Sequence, residues 1–440
     1  MGTGTEKSEV KNKHNKPAPD QHNGTVKKKS HRRTIYLLVL MLMAIAAIGF
    51  LVMLILLDMF PKELTLGMTG VMFALLILAG ILFMSKRRGI RIVGIITAAL
   101  FIAAFVTATS FMQSTYAMLN SITDERASSV TPGSVNVGED PFNVYITGID
   151  QWTKERGYDL ERSDVNMIVT VSPLTHKVLL TSIPRDAYIV LHRTGTMDKL
   201  THTGVYGVDE TLSSVGEWLN LDFDYYVKMN FDACVDIVDA IGGIEVDSPK
   251  AFTSSEKSKY SYKKGINHLN GKAALYYARE RKAFGGEDQL RVRNQLQVME
   301  AVIHKVTTSS TLLTSYGDIM ATLGDEIETN MPTSDMQKLM KLQLSDMRPW
   351  KVETQRMTGT YDMEVVASLD SSNKYSVLKV DPASLNSCLE KIHATMSPSA
   401  EEIEASEQER REVTVSNYIE SVRNKILNRS KSNENDEEGN

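Results

Sequence analysis

Cysteine is scarce in this sequence, which has two in 440 residues. Cys234 and Cys388 show neither a CxxC pair nor the ligand spacing of a zinc site, so the pattern does not indicate a disulfide-rich scaffold or a zinc module. A bond between the two cysteines is an open alternative. We expect Cys234 to be a small core residue on a helix instead.

The signatures of several common enzyme classes are also absent. There is no GxSxG elbow, no Walker A loop and no HExxH motif, and the histidines show no metal-ligand spacing. The formal net charge of −5 provides no overall basic field for nucleic acid. These absences argue against a serine hydrolase, a P-loop nucleotidase, a zinc protease and a nucleic-acid-binding protein.

Three long apolar runs are present near the beginning of the chain. Ile35–Leu57, Leu64–Met84 and Ile92–Met112 contain no charged residue, and each has about the 20 residues that a helix needs to cross a bilayer. No signal-peptide cleavage site is visible. Helices buried in a soluble core would be shorter and would carry charge. We therefore predict three transmembrane helices within residues 35–112.

The basic residues around these runs predict their orientation. The loop between the first two runs is nearly neutral, whereas lysines and arginines flank the other side: Lys27, Lys28, Lys29, Arg32, Arg33, Lys86, Arg87, Arg88 and Arg91. Because positive loops stay inside, the N-terminus is expected in the cytoplasm and everything after Met112 outside. Residues 1–33 indicate a disordered basic arm that is too short for a folded DNA-binding domain.

The rest of the chain predicts one α/β domain. After a helical extension and linker at 113–140, strand and helix patterns alternate through 141–395, which favours a central mixed sheet flanked by helices. A polar acidic tail follows at 396–440, and its segment 401–428 has helical composition but no obvious partner. We predict strands at 142–149, 165–172, 177–183, 225–230 and 243–247, and helices at 208–219, 231–241, 271–277, 289–307, 334–344 and 383–394.

Charged residues lie at the end of the first predicted strand, directly before the second, and after the end of the third. If these strands form a meander, one end of the sheet collects Asp150, Arg162, Asp164, Arg185 and Asp186. Carboxylates are ligands that Mg²⁺ prefers, and guanidinium groups bind phosphate through two hydrogen bonds. The cluster therefore indicates a phosphate site with a divalent metal. A surface ion-pair network, which contributes little stability, is the alternative.

A second basic cluster lies in "YYARERKAFGGEDQLRVRNQ", which contains Arg279, Arg281, Arg291, Arg293 and Gln295. Arg279 and Arg281 would point the same way on an extended segment but not on a helix. Acidic residues are interleaved with the arginines, so a solvated charged face is the alternative to a binding site.

Six segments of the chain carry a specific and ordered set of motifs. They are "FNVYITGID", "RSDVNMIVTVSPLTHKVLLTSIPRD", "DYYVKMNFDACVDIVDAIGGIEVD", "LNGKAALYYARERK", "DQLRVRNQLQV" and "IETNMPTSDMQKLMKL". These segments resemble the LytR-CpsA-Psr (LCP) proteins of Gram-positive bacterial envelopes. The resemblance covers about residues 142–345 and extends more weakly toward 395. Many members have Arg-Gln where this chain has Asn294-Gln295, and Arg293 is the candidate replacement for the missing arginine.

The resemblance implies a Mg²⁺-dependent phosphotransferase that moves a glycopolymer from an undecaprenyl-pyrophosphate carrier to peptidoglycan. It implies that Asp150 and Asp164 hold Mg²⁺, and that Arg162, Arg185 and Asp164 are catalytic. A long apolar pocket between sheet and helices would hold the prenyl chain. The implied pyrophosphate ligands are Arg162, Arg185, Arg279, Arg281, Arg291 and Gln295.

The three predicted spans resemble the capsule-locus CpsA-type branch, which favours capsular polysaccharide as the cargo. The expected location is the membrane of a Gram-positive cell, with the polyprenyl-linked glycopolymer, peptidoglycan and membrane lipid as partners and no nucleic acid. One alternative is a membrane-bound regulator or attenuator of gene expression, although the short cytoplasmic arm is too small for a folded DNA-binding domain. Another is a lipid pyrophosphatase, which would use the same site with water as acceptor.

Overall fold

The computed structural model describes residues 23–122, 135–149, 162–255, 260–283, 288–308, 327–346 and 348–413. The described residues fall into two compact units. One lies within Met1–Val52 and Leu66–Thr109, and the other lies within Met53–Thr65 and Ser110–Asn440.

Three helices form the N-terminal part: α1 (Asn23–Leu57), α2 (Lys62–Met84) and α3 (Arg88–Ile122). Each contains a segment long and apolar enough to cross a membrane, as predicted. One boundary differs from the prediction. Residues 23–33, expected in a disordered arm, belong to α1, because its lysines and arginines are good helix formers that extend the apolar helix. The predicted extension after the third run is helical to Ile122.

The first three strands of the larger unit form the predicted antiparallel meander. They are β1 (Phe142–Ile149), β2 (Ser163–Ser172) and β3 (Lys177–Ile183). Ile149 pairs with Ser163, and Asn166 pairs with Ile183. The end of β1, the start of β2 and the end of β3 therefore share one edge of the sheet, which we call the site edge.

Three further strands join the meander: β6 (Tyr225–Asn230), β11 (Ile327–Thr329) and β12 (Lys351–Arg356). The resulting central sheet has six strands in the order β11-β6-β1-β2-β3-β12. β6 is parallel to β1 and β12 is parallel to β3, whereas β11 is antiparallel to β6. The predicted mixed sheet is confirmed. Because Asn230 pairs beside Ile149, the residues that follow β6 also lie at the site edge.

Helices cover both faces of the sheet. α4 (Val208–Leu219) and α9 (Pro382–Met396) pack on the face that contains Tyr145 and Ile168. α7 (Asp288–Thr308) and α8 (Thr333–Asp346) pack on the face that contains Val144 and Met167. Side chains of successive strand residues thus pack against helices on opposite faces of the sheet, because side chains alternate along a strand.

Several short strand pairs complete the domain. β4 (Tyr188–Val190) pairs with β5 (Met197–Lys199), and a 3-10 helix, Leu200–Tyr206, follows. β7 (Ile244–Ser248) pairs with β10 (Gly265–Leu269), and β8 (Phe252–Thr253) pairs with β9 (Ser261–Tyr262). β13 (Gly359–Glu364) pairs with β14 (Tyr375–Val380).

Two helices beside the site edge approach each other closely: α5 (Phe231–Ala240) and α6 (Gly271–Arg279). A Cβ atom at Gly271 would overlap the carbonyl group of Val235. The Gly271 N–H donates to Asp239 Oδ1 at 2.7 Å, and the Asn270 side chain caps α6. This approach requires glycine and fixes the direction in which α6 runs toward Arg279.

The predicted tail is partly structured. Residues 400–413 form a helix, α10, which sequence reasoning left without a partner. One of its partners is the buried Arg348, which donates to Ser406 O at 2.8 Å and makes two 2.8 Å hydrogen bonds to Asp346. Arg348 is distant in sequence and binds a backbone carbonyl of the helix, so no periodic pattern in the tail predicts this contact.

His176 lies beside this arginine. It occupies the turn between β2 and β3 with a φ of 53° and is 3% exposed. Burial and the positive charge of Arg348 lower the pKa of the imidazole to about 4, although Asp346 acts in the opposite direction. The ordinary histidine pKa is about 6.5. As the pH falls, the His176 imidazole is therefore protonated in the unfolded chain before it is protonated in the folded chain. The free energy of unfolding decreases as the pH falls from about 6.5 to about 4.

We predict that His176→Asn has a thermal midpoint that falls less steeply than that of the original protein between pH 6.5 and pH 4. Asparagine tolerates the left-handed backbone but does not titrate. Carboxylates elsewhere titrate equally in both proteins, so the difference between the two midpoint curves isolates His176. Parallel curves in calorimetric scans would contradict this assignment.

Candidate functional site

Asp164 and Arg185 meet at the site edge. Arg185 Nη1 donates to Asp164 Oδ1 at 2.7 Å, and the Thr201 hydroxyl donates to the same oxygen at 3.4 Å. The contact follows from the meander, because Asp164 lies at the start of β2 and Arg185 lies two residues beyond the end of β3. The side chains are 16% and 25% exposed, so the pair is accessible to a ligand.

The neighbouring Asp186 contacts a different cation. Its Oδ1 lies 3.3 Å from Lys199 Nζ, whereas its Oδ2 is 3.7 Å from Arg185 Nε. The backbone carbonyl of Arg185 accepts from Thr201 N–H at 2.8 Å. The 3-10 helix therefore supports Arg185 through its backbone and Asp164 through a hydroxyl, and the Arg–Asp sequence is not an isolated surface pair.

The Arg279–Arg281 segment has the extended geometry that directs both arginines to one side. α6 ends at Arg279, and Glu280 follows with φ −66° and ψ 131°, so successive side chains alternate. Arg279 Cζ lies 4.9 Å from the centre of the Phe231 ring, which is a cation–π contact.

Helix α7 supplies two further groups from one face. Arg291 and Gln295 are four residues apart, which is about one helical turn, and Arg291 is 5% exposed. The fully buried Asn294 donates through Nδ2 to Tyr277 O at 2.8 Å. Arg293, the candidate replacement for the family arginine, instead approaches Asn294 Oδ1 at 3.5 Å. It is not among the side chains around the cavity described next.

These side chains surround a polar cavity of about 380 Å³. Among its described lining residues, five are cationic and one is a carboxylate. Guanidinium groups bind phosphate with two parallel hydrogen bonds, so this anion cavity suits a phosphorylated ligand. Its lining consists of Asp164, Arg185, Phe231, Ser255, Arg279, Arg281, Lys282, Arg291 and Gln295.

An apolar cavity of about 110 Å³ adjoins the anion cavity. It lies between the sheet and helices α5, α6 and α7, and the two cavities share Phe231, Arg279 and Gln295. Cys234 is in its wall, where burial raises the pKa of the thiol to about 11. Both cysteines are free. The remaining wall consists of Ile146, Gly148, Val165, Met167, Met229, Asn230, Ile237, Leu275, Ala278, Val298, Met299 and Val302.

The structure brings most of the predicted site residues together. Arg162 is exposed at the start of β2 and is not among the residues around either cavity. Asp150 lies outside the described residues. The predicted residues that do line the anion cavity are Asp164, Arg185, Arg279, Arg281, Arg291 and Gln295.

Sequence reasoning missed four residues near these groups. Phe231 directly follows β6, and the parallel pairing of β6 with β1 could have placed it at the site edge. Lys282 lies inside the basic stretch that contains Arg279 and Arg281, so that stretch could have indicated it. Ser255 and Thr201 had no comparable signal, because they reach the site from a loop and from the 3-10 helix.

Asp164 is the predicted metal ligand that the structure describes. Arg185 and Thr201 both donate to its Oδ1. Within the described ranges, no three His, Cys, Asp or Glu side chains form a metal cluster. Mg²⁺ commonly uses one or two carboxylates and completes its shell with water and phosphate oxygens. Asp164, in the wall of an anion cavity, fits that kind of ion.

Comparisons with known proteins add an independent finding. The chain matches the model of the LytR_cpsA_psr family over residues 105–393. It is 36% identical over 212 residues to a polyisoprenyl-teichoic acid–peptidoglycan teichoic acid transferase TagU of Bacillus cereus, with 47% of this chain and 67% of that protein covered. The TagU of Bacillus subtilis (strain 168) is 38% identical over 199 residues, with 45% and 62% covered. The chain thus spans less than two thirds of that relative. The crystal structure of B. subtilis TagV is 27% identical, with a TM-score of 0.49, and the match covers 59% of this chain and 99% of that one.

We predict that geranyl pyrophosphate with Mg²⁺ raises the thermal midpoint of the full chain in detergent. A ligand at 100 times its Kd adds about 2.7 kcal/mol of stability. Arg185→Lys should lose most of this increase, because an ammonium group cannot contact Asp164 and a phosphate through one planar fork. Arg193→Lys, at an exposed position away from both cavities, is the matched control. If the ligand raises the thermal midpoint of Arg185→Lys by the full amount, Arg185 contacts Asp164 and does not bind the pyrophosphate.

Proposed function

Because the chain belongs to the LytR_cpsA_psr family, we propose that it is a phosphotransferase that moves a glycopolymer from a polyprenyl pyrophosphate carrier to peptidoglycan. One observation carries the proposal: the anion cavity and the apolar cavity share Phe231, Arg279 and Gln295 in their walls. A lipid pyrophosphate has the same two parts, a doubly phosphorylated head and a hydrocarbon chain.

Each cavity recognises its part by ordinary forces. The arginine forks neutralise the pyrophosphate and fix its orientation. The hydrocarbon gains about 25 cal/mol for every Å² of apolar surface removed from water. The names of the relatives, polyisoprenyl-teichoic acid–peptidoglycan teichoic acid transferases, support a carrier of this class and peptidoglycan as the acceptor.

The proposed reaction is one displacement at phosphorus. A hydroxyl oxygen of a peptidoglycan sugar attacks the phosphorus that bears the glycopolymer, and a new P–O bond forms. The bridging P–O bond to the lipid phosphate breaks, polyprenyl monophosphate leaves with the electron pair, and the hydroxyl proton passes to water. The product is a phosphodiester between glycopolymer and peptidoglycan. Such a transfer depends on positioning and charge neutralisation, which the arginines of the anion cavity supply.

The metal is part of the proposal. Asp164 would hold Mg²⁺ together with the phosphates, and Asp150, outside the described residues, is its proposed second carboxylate. The ion would add charge neutralisation at the phosphate oxygens. Arg185 and Asp164 have catalytic roles in this scheme, and Arg162 is kept as a further phosphate ligand that would contact the carrier from the start of β2.

The cargo and the orientation are finer parts of the proposal. The three-helix anchor favours the CpsA-type branch, so we propose capsular polysaccharide as the glycopolymer. The relatives named above act on teichoic acid, so both polymers belong in the assay. Basic residues on the N-terminal side of α1 and between α2 and α3 favour a cytoplasmic N-terminus and a domain outside the cell, where carrier and peptidoglycan meet.

The decisive experiment is reconstitution in proteoliposomes with either lipid-linked polymer, Mg²⁺ and a peptidoglycan acceptor. We predict a covalent polymer–peptidoglycan product, released polyprenyl monophosphate, and loss of both when the metal is chelated. Arg291→Ala should lower turnover by about 10²- to 10³-fold, the usual effect of removing one preorganised charge-stabilising donor. Arg193→Ala, outside both cavities, should retain full turnover.

The products distinguish the alternatives. Polymer released with a free phosphate, in equal yield with and without acceptor, would identify a pyrophosphatase that uses water. No turnover of either polymer, together with altered envelope transcripts in a deletion strain, would favour the regulator and contradict the proposal.

A further inference from the structure

A buried carboxylate lies directly between two arginines of the anion cavity. Glu280 is 0% exposed, although Arg279 and Arg281 on either side of it line the cavity. We infer that Glu280 is the positioning residue for Arg281, and that it holds this guanidinium where the carrier pyrophosphate binds. The inference rests on the proposed function, because that function supplies the ligand.

The contacts of Glu280 enclose Arg281 in a turn. Glu280 Oε1 accepts from Lys282 N–H at 2.6 Å and from Ala283 N–H at 3.0 Å. Its Oε2 accepts from Ser255 N–H at 2.6 Å. Arg281 therefore lies between the Glu280 side chain, which precedes it, and the Lys282 and Ala283 N–H groups, which follow it and bind that side chain. The same carboxylate joins this turn to the loop after β8.

The turn has an independent support on its N-terminal side. Asn294 of α7 donates to Tyr277 O in the last turn of α6, and Arg279 lies over the Phe231 ring. The position of Arg279 is thus set by the helix and by Phe231. Arg281 lies beyond the end of the helix, and the hydrogen bonds of the Glu280 carboxylate close the turn that contains it.

Glu280 is ionised at neutral pH. Its burial acts to raise the carboxyl pKa, but the hydrogen bonds from Ser255, Ala283 and Lys282 outweigh burial and hold the pKa below its ordinary value. An ionised carboxylate accepts three N–H groups at once. A glutamine amide has a single acceptor oxygen, and its NH₂ group would face a backbone donor on one side.

A second explanation makes the opposite prediction. If Glu280 acted only as a negative charge near the cavity, its removal would strengthen the binding of an anion, because the remaining charges attract it more. If Glu280 positions Arg281, its removal weakens that binding although the site becomes more positive. The sign of the change in affinity therefore separates charge from position.

The test is isothermal titration of the full chain in detergent with inorganic pyrophosphate and Mg²⁺. We predict that Glu280→Gln binds about tenfold more weakly than the original protein. Glu280→Asp keeps the charge but is one methylene shorter, and it should lose affinity to a similar extent. This variant also decides the question if the glutamine variant does not fold. Glu245→Gln, at an exposed position on β7, is the matched control and should bind normally.

A double-mutant cycle with Arg281→Ala adds a readout that a merely structural role would not change. In that background Glu280→Asp should alter the Kd less than twofold, since no guanidinium remains to be misplaced. An equal loss in both backgrounds, normal binding by Glu280→Asp, or tighter binding by Glu280→Gln would each overturn the inference. Failure of the original protein to bind pyrophosphate would instead contradict the proposed function, and the inference would fall with it.

Discussion

Mutual repulsion among cationic side chains is the constraint around which the site edge is built. Five lysine and arginine side chains line a cavity whose described wall contains one carboxylate, Asp164. The fold holds them on separate supports: a turn after β3, the end of α6, and one face of α7. Carboxylates outside the cavity, Asp186 and Glu280, bind the neighbouring lysine and backbone groups. An anion with two phosphates would complete this charge balance, so ligand binding and site stability are physically linked.

The apolar cavity gives the anion site its second property. Phe231 starts α5 directly after β6, so the sheet itself carries the aromatic ring to the boundary between the two cavities. Hydrocarbon walls exclude water and lower the local dielectric, which strengthens each contact between a guanidinium and a phosphate. The close approach of α5 and α6 at Gly271 determines the shape of this wall. One structural arrangement therefore supports both lipid burial and charge neutralisation.

The parts of the fold that were predictable have strong local patterns. The apolar runs, the meander and the long helices follow from periodicity, and the meander alone places Asp164 beside Arg185. The pair β4–β5 was missed because three residues in each strand are too few to show a period. The pair β13–β14 has six residues in each strand, but β13 contains no buried residue, so its sequence shows no alternation of buried and exposed positions. The helical composition of α10 was recognised, but its contact with Arg348 was not, because that arginine is distant in sequence. The role of Glu280 could not be predicted either, since a glutamate between arginines is typical of a solvated face. The extended backbone after α6 turns its side chain away from the two arginines and into the protein, and no sequence pattern predicts this.

The central claim is that one lipid pyrophosphate occupies both cavities. The most direct measurement is a crystal structure of the protein with geranylgeranyl pyrophosphate and Mg²⁺. The account predicts phosphate oxygens within hydrogen-bonding distance of Arg185, Arg281 and Arg291, and a hydrocarbon chain that passes Phe231 and contacts Cys234. A pyrophosphate bound outside the arginine cluster, or a hydrocarbon chain lying on the protein surface with the apolar cavity collapsed, would contradict it.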